Sequence, residues 1–329
     1  MILFWAAALA LVMLLYVLLD GFDLGVGILS GFARDERDKR RMLMSIAPVW
    51  DGNETWLVIA ATILFGGFSK VYAAVLAAFY LPVVLMLGAL ILRGVAFEFR
   101  DKATGTRWIW DLAFAGGSFL ASFLQGVTVG ELVQGLPLVD GRYVGGPLHW
   151  LNPFALLCGL GLCLGYALLG AAWLVRTCED DLRKRAYGVL PWLLASVLAF
   201  LVAVFVLSVT KNLPIMHRWL ERPYLAIFPL IGLLAVLVLA QAIRSRKHDG
   251  LPFGMAAMIF IAAFGTLAVS FWPYMIPFAL TVEQAASPPA SLNFMFWGAG
   301  IFALPITLGY TLVVYAIFGG KPAGRADEY

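Results

Sequence analysis

The chain has 329 residues, of which 62% are hydrophobic and 13% are charged, and its formal net charge is +3. Its mean hydropathy of +0.89 exceeds what a soluble core could hide, so the composition excludes a soluble globular protein and indicates that lipid is the solvent. Because the net charge is small and the basic residues form short clusters between apolar runs, the composition also excludes nucleic acid as a partner.

Nine apolar runs are long enough to cross a hydrocarbon core of roughly 30 Å, which requires about 20 helical residues. We therefore predict an all-α polytopic membrane protein with about nine transmembrane helices, forming a single transmembrane domain over residues 1–329. The first run is interpreted as a retained helix because no basic residue precedes it and no small-residue cleavage site ends it. The predicted spans are 3–31, 49–68, 71–92, 111–134, 152–175, 187–210, 223–243, 252–277 and 292–318.

Basic residues alternate between the two sides of these spans. Eighteen of the 23 follow the first, third, fifth, seventh or ninth span, and five lie on the other side. Because cytoplasmic loops carry the excess of lysine and arginine, this bias predicts an outside N-terminus and a cytoplasmic C-terminus. The same count assigns Arg93 to a cytoplasmic loop.

The first span contains two carboxylates. Asp20 and Asp23 are three residues apart, so they lie on one face of the helix. An ionised carboxylate at mid-span costs roughly 2.5–3.5 kcal/mol on insertion scales. If the basic cluster that begins at Arg34 marks the inner boundary, Asp20 lies near the middle of the membrane. The cost favours a function for the pair.

A second pair of carboxylates lies at the start of the second span, in the segment 50–56. Asp51 and Glu54 are three residues apart and share a face near the inner end of the helix. A short loop joins the first two spans, so they are predicted to be antiparallel neighbours that bring Asp51 close to the pair on the first helix. This arrangement suits a proton half-channel. The alternative is that Asp51 and Glu54 only cap the helix or pair with the basic run 34–41.

Other acidic residues receive simpler interpretations. Glu98 and Asp111 flank the basic loop 93–107 and are predicted to form interfacial ion pairs. Glu131, near the outer end of the fourth span, and Glu283, in an outer loop, are assigned no role.

The histidines limit what the chain can bind. His149 and His217 are predicted in outer loops and His248 in an inner loop, so no histidine lies within a span. Because heme iron takes axial ligands such as histidine, we predict that the chain holds no bis-histidine heme, although its 10 methionines leave a single thioether ligand open. No metal site is predicted. Three cysteines without CxxC spacing are interpreted as packing residues: Cys158, Cys163 and Cys178.

Two segments, DGFDLG at 20–25 and APVWDGN at 47–53, resemble subunit II of cytochrome bd-type quinol oxidases. The resemblance extends over essentially the whole chain. It continues through VYAA at 71–74, FY at 79–80, Arg93 with FEFR at 97–100, LVQGLP at 132–137, LNPF at 151–154 and WPYMIP at 272–277.

This resemblance implies two four-helix bundles plus a peripheral helix, packed beside a subunit I that holds heme b, heme d and the quinol site. It implies a complex of the bacterial inner membrane that oxidises quinol, reduces dioxygen to water and takes protons from the cytoplasm without pumping. Subunit II is expected to be heme-free and to contribute part of the proton pathway at Asp20 and Asp51. The supporting positions are Asp23, Trp50, Asn53 and Glu54. Quinol, membrane lipid and a small single-helix subunit are the further expected partners.

Two other classes of function would also use membrane carboxylates. A proton-coupled secondary transporter commonly has paired broken helices in corresponding halves, whereas the carboxylates here concentrate in the first two spans. A purely structural scaffold would use them only as assembly contacts.

Overall fold

The structure is a computed structural model that describes residues 1–211, 213, 215, 218, 219 and 222–319. His217, predicted in an outer loop, lies outside the described residues. So do Lys321 and Arg325, which contributed to the predicted cytoplasmic C-terminus.

Helices make up most of the described chain. In the first half they are α1 (Ile2–Ser30), α2 (Glu36–Ile46), α3 (Trp50–Gly67), α4 (Ser69–Ala78), α5 (Tyr80–Arg100) and α6 (Arg107–Gln134). In the second half they are α7 (Pro153–Thr177), α8 (Asp180–Thr210), α9 (Ile227–Ser245), α10 (Gly250–Phe271), α11 (Val282–Ala285), α12 (Pro289–Met295) and α13 (Ile301–Phe318). A 3₁₀ turn, Pro223–Ala226, precedes α9, and a π-helical segment, Phe296–Gly300, joins α12 to α13.

Two short antiparallel hairpins lie in the connections. One pairs β1 (Leu138–Val139) with β2 (Arg142–Tyr143), and the other pairs β3 (Tyr274–Ile276) with β4 (Leu280–Thr281).

The predicted fold class is confirmed. Among the described residues, eight helical segments are long and apolar enough to cross a membrane, and the bent pair α3 and α4 makes a ninth candidate. Helices α1, α3, α5 and α6 pack together, α7 to α10 form a second group, and α1 and α6 join the groups by packing against α7. Helix α13 has no buried residue, so it is the peripheral helix.

The predicted boundaries of the third span are wrong. The chain bends by 118° between α3 and α4, and α4 packs against β2 and α11. The next crossing helix is therefore α5, which runs to Arg100, and not the segment 71–92. Hydropathy could not locate the break because apolar residues continue on both sides of it. As a consequence Arg93 is not a loop residue: it lies inside α5 and is 1% exposed.

Close contact between α1 and α7 buries the half of α1 that carries the carboxylates. A Cβ atom added at Gly25 would lie 1.8 Å from the carbonyl oxygen of Tyr166, and one added at Gly170 would lie 2.5 Å from the backbone of Gly25. Only glycine permits this approach, as in other membrane helix pairs. All residues from Asp20 to Gly27 are consequently buried.

Ion pairs join the loops at the end of the bundle that is rich in arginine and lysine, here called the basic end. Asp111 Oδ2 accepts a hydrogen bond from Lys39 at 2.8 Å, and its Oδ1 accepts one from Arg100 at 2.5 Å. The predicted interfacial ion pair of Asp111 is thus present, whereas Glu98 is exposed on α5.

Candidate functional site

A single guanidinium connects three helices inside the bundle. Arg93 Nη1, on α5, lies 3.0 Å from Asp20 Oδ1 on α1 and 2.8 Å from Glu54 Oε1 on α3. The side chains of Arg93 and Asp20 are 1% and 0% exposed, and that of Glu54 is 26% exposed. Arg93 is seven residues from the end of α5, so at 1.5 Å per residue the site lies about 10 Å inside the basic end.

The second carboxylate of α1 is held by an amide. Asn53 Nδ2 donates to Asp23 Oδ2 at 2.7 Å and also approaches the carbonyl oxygen of Leu19 at 3.2 Å. The oxygen of the same amide accepts a hydrogen bond from the Tyr315 hydroxyl at 3.0 Å. Helices α1, α3 and α13 therefore meet at Asn53.

These residues form the Arg93 cluster, defined as Asp20, Asp23, Asn53, Glu54 and Arg93. Three carboxylates face one guanidinium. Several of the buried polar atoms have no hydrogen-bond partner among the described residues: Asp20 Oδ2, Asp23 Oδ1, Arg93 Nε and Arg93 Nη2. The cluster is therefore short of both positive charge and hydrogen bonds, and buried groups of this kind take up protons or water.

The remaining predicted positions lie at the edge of the cluster. The guanidinium carbon of Arg93 lies 6.0 Å from the centre of the Trp50 ring, which also packs against Phe97. Asp51, in the first turn of α3, is exposed on the surface of the chain and interacts electrostatically with Glu54. The structure thus brings together all the predicted positions except Asp51, which stands one helical turn away on the surface.

Sequence reasoning missed Arg93 as a member of the site. Its signal was present, because an arginine within the apolar run 81–97 must find a partner in a membrane. It also missed a hydrogen-bond chain on the far side of Asp20, in which Tyr166 Oη donates to Gln125 Oε1 at 2.9 Å and Gln125 Nε2 donates to Tyr16 Oη at 2.7 Å. These contacts join residues more than 40 positions apart, and no sequence pattern predicts them.

A separate buried carboxylate site lies at the end of α6 that is opposite the basic end. Glu131 is 2% exposed and is bound by three side chains: His149 Nδ1, Asn152 Nδ2 at 2.5 Å and Gln134 Nε2 at 3.3 Å. These four residues are here called the Glu131 cluster. Burial and the nearby carboxylate of Glu131 raise the pKa of Tyr143, in the adjacent hairpin. His149 also lines a cavity of about 610 Å³.

Within the described residues, no group of three or more histidine, cysteine, aspartate or glutamate side chains is arranged to hold a metal ion. His149 is bound to Glu131, and His248 is exposed between α9 and α10. The described part of the chain therefore does not offer a pair of buried axial histidines to a heme.

The sequence matches the family model described as cytochrome bd terminal oxidase subunit II over residues 1–318. It is 31% identical to the probable cytochrome oxidase subunit 2 of Haemophilus influenzae, over 98% of this chain and 96% of that protein. It is 32% identical to the cytochrome bd-I ubiquinol oxidase subunit 2 of Escherichia coli, over 94% of this chain and 92% of that protein. A chain of the bd oxidase from Geobacillus thermodenitrificans has the same fold, with a TM-score of 0.78 at 15% identity over 96% of this chain and 98% of that chain.

Family membership sets aside the secondary transporter as the function of the chain. It implies a multi-pass protein of the inner membrane, within a heme-containing complex that includes a subunit I. The chain therefore belongs to the cytochrome bd terminal oxidase subunit II family and is a subunit of a quinol oxidase of the respiratory chain.

Proposed function

We propose that this chain is a heme-free subunit that supports subunit I and carries protons from the cytoplasm towards the oxygen-reducing heme of its partner, through Asp51, Glu54 and Asp20. The observation that carries the proposal is the position of Arg93, whose Nη1 atom bonds both Glu54 and Asp20. This one cation holds a half-buried carboxylate and a fully buried carboxylate within reach of each other.

Charge balance explains why the cluster binds protons. One guanidinium neutralises one of the three carboxylates Asp20, Asp23 and Glu54. Two further negative charges in a medium of low dielectric constant are strongly disfavoured. The cluster lowers its energy by taking protons, and it releases them when a stronger base in the partner requires them.

Exposure decreases in order along the proposed route. Asp51 is on the surface of the chain, Glu54 is 26% exposed and Asp20 is 0% exposed. Asp51 can exchange protons with water at the basic end, Glu54 receives them one helical turn deeper, and Asp20 delivers them inside the bundle. Trp50 covers the guanidinium on one side, and Asp23 and Asn53 support the geometry.

The remaining parts of the proposal concern the complex. Heme b, heme d and the quinol site are assigned to subunit I, as the resemblance to the family implies, and the exposed positions of His149 and His248 agree with the assignment of the hemes. The basic end is assigned to the cytoplasm by its excess of lysine and arginine, with the N-terminus outside. Residues 1–329 are treated as one transmembrane domain, with lipid, quinol and a small single-helix subunit as further partners.

The test is to replace Asp20 or Asp51 with asparagine in the whole complex, which keeps the size and hydrogen bonding of the side chain and removes the titratable proton. We expect heme content to remain normal, while oxygen consumption per heme falls and proton uptake by reconstituted vesicles slows. Glu98→Gln is the matched control, because Glu98 is an exposed carboxylate on α5 outside the cluster. Normal turnover and normal proton uptake in fully assembled Asp20→Asn and Asp51→Asn complexes would overturn the pathway.

A further inference from the structure

The peripheral helix makes a hydrogen bond to the Arg93 cluster. Tyr315, on α13, is the residue whose hydroxyl bonds Asn53. Its ring lies 6.3 Å from that of Phe22 and 6.2 Å from that of Trp173, measured between centroids. Aromatic packing therefore fixes the ring, and the hydroxyl is aimed at the amide.

The amide of Asn53 connects the Tyr315 hydroxyl to the carboxylate of Asp23. Both of its ends are used: the oxygen accepts from Tyr315, so the nitrogen must face Asp23 Oδ2. The Leu19 carbonyl oxygen, 3.2 Å from Nδ2, favours the same orientation, and the Tyr315 hydroxyl holds the other end of the amide in place. Asp23 is left with one oxygen held at 2.7 Å, and its other oxygen, Oδ1, is buried and has no hydrogen-bond partner in the part of the chain that the structure describes.

A small cavity lies beside Tyr315, between α3 and α13. It measures about 10 Å³ and is lined by Val49, Gly52, Asn53, Tyr310, Thr311, Val314 and Tyr315. That volume is close to what one water molecule needs, and a buried water also needs polar partners. The Tyr315 hydroxyl, which donates to Asn53, keeps lone pairs that can accept a hydrogen bond from such a water.

We propose that this cavity binds a water molecule and that Tyr315 is a positioning residue for proton uptake, which acts through Asn53 to hold Asp23 with Oδ1 free to accept a proton. The inference rests on the proposed function, but it concerns a different side of the cluster from the one that Asp51 and Glu54 occupy. Asn53 gives up no proton in this arrangement. Its amide only orients the carboxylate, and Asp23 is the group that receives the proton.

The test is Tyr315→Phe in the complete complex, which keeps the aromatic packing and removes only the hydroxyl. The readouts are the pH profile of oxygen consumption per heme and the carboxylic acid C=O band of Asp23 in redox-difference infrared spectra, identified by its loss in Asp23→Asn. We expect Tyr315→Phe to shift both the band and the profile. Tyr310→Phe is the matched control, since Tyr310 lines the same cavity without a hydrogen bond to Asn53, and it should shift neither.

Two outcomes would overturn the proposal. One is an unchanged band and profile in Tyr315→Phe, and the other is the absence of any band that Asp23→Asn removes. Either outcome would leave the main pathway standing, since that pathway is tested separately by the turnover of Asp20→Asn. Conversely, a normal Asp20→Asn complex would reject the main pathway whatever Tyr315→Phe does.

Discussion

The Arg93 cluster and the Glu131 cluster are both buried carboxylate sites, and they differ in how completely their atoms are paired. Glu131 is one carboxylate with three side-chain partners. The Arg93 cluster has three carboxylates for one guanidinium and leaves four polar atoms without partners among the described residues. A carboxylate whose oxygens all have hydrogen-bond partners can hold helices together at no cost to stability. A buried cluster with unpaired polar atoms lowers the stability of the fold, which indicates a role other than packing. The comparison suggests that Glu131 fastens helices and that the Arg93 cluster handles protons.

The fastening role of Glu131 follows from where its partners lie. Asn152 is the N-cap of α7, and its Oδ1 accepts from the backbone of Ala155 at 3.0 Å and from Gln134 at 2.9 Å. Its Nδ2 atom donates to Glu131. These hydrogen bonds hold the end of α6 against the beginning of α7, and the bond between His149 and Glu131 holds the segment that follows the hairpin in the same place.

The largest effect is expected from Arg93→Met. Removing one partner of a buried ion pair leaves uncompensated charge and typically costs about 3–5 kcal/mol, and here three carboxylates would lose the one buried cation that faces them among the described residues. We expect little assembled complex in membranes, measured by heme d absorbance and by thermal unfolding of what can be purified. The matched control is Arg107→Met, whose side chain is 40% exposed, and it should assemble normally.

A double variant sharpens this prediction. Once Arg93 is replaced, the carboxylate of Asp20 has lost its cation, and Asp20→Asn removes that charge. Arg93→Met with Asp20→Asn should therefore recover part of the assembly lost in Arg93→Met alone. If the double variant assembles no better than the single one, charge balance is not what Arg93 provides.

A smaller effect, and one of a different kind, is expected from Glu131→Gln. His149 and Asn152 bond different carboxylate oxygens, and the new amide keeps only one of these as an acceptor, so one partly exposed donor loses its hydrogen bond at a cost of about 0.5–1.5 kcal/mol. We expect a lower melting temperature of the complex with unchanged oxygen consumption per heme. Glu283→Gln, an exposed carboxylate near the same end, is the control. A loss of turnover per heme in Glu131→Gln would break the comparison, because it would give Glu131 a role in the reaction.

The smallest effect is expected from Asp111→Asn at the basic end. Asp111 is 19% exposed and is shared by Lys39 and Arg100, and Arg100 keeps Glu36 at 2.8 Å as a second partner. Arg100 itself is 1% exposed, but it keeps Glu36 as a partner and is not left as an uncompensated charge, while Lys39 and Asp111 are 23% and 19% exposed. The lost pairing should therefore cost about 0–1 kcal/mol and be screened by salt. The melting temperature should fall slightly at low salt and match that of the unchanged complex at high salt. A large loss that persists in high salt would place Asp111 with the buried cluster.

Much of the site could be predicted from the sequence because it lies on neighbouring helices. Asp20 and Asp23 are on one turn of α1, and the short connection between the first two spans predicted that Asp51 would lie close to them. The start of α3 does lie beside them, but the residues that enter the cluster are Asn53 and Glu54, and Asp51 stays on the surface. Arg93 was misassigned because hydropathy reads a basic residue at the end of an apolar run as a loop residue. Tyr315 could not be found at all, since it is 262 positions from Asn53 and its helix has no buried residue to mark a contact face.

By itself, the sequence determined that the chain crosses the membrane as helices. The hydrocarbon core holds no water, so the backbone N–H and C=O groups of an unbroken apolar segment must bond each other within the segment. It also determined which carboxylates are expensive to bury. Only the tertiary structure decided where α3 ends and α5 begins, and which cation and which amide those carboxylates meet. The physical reason is that hydropathy depends on neighbours along the chain, whereas the pairing of buried charges depends on which helices approach closely, and that is set by contacts such as the one between Gly25 and Tyr166.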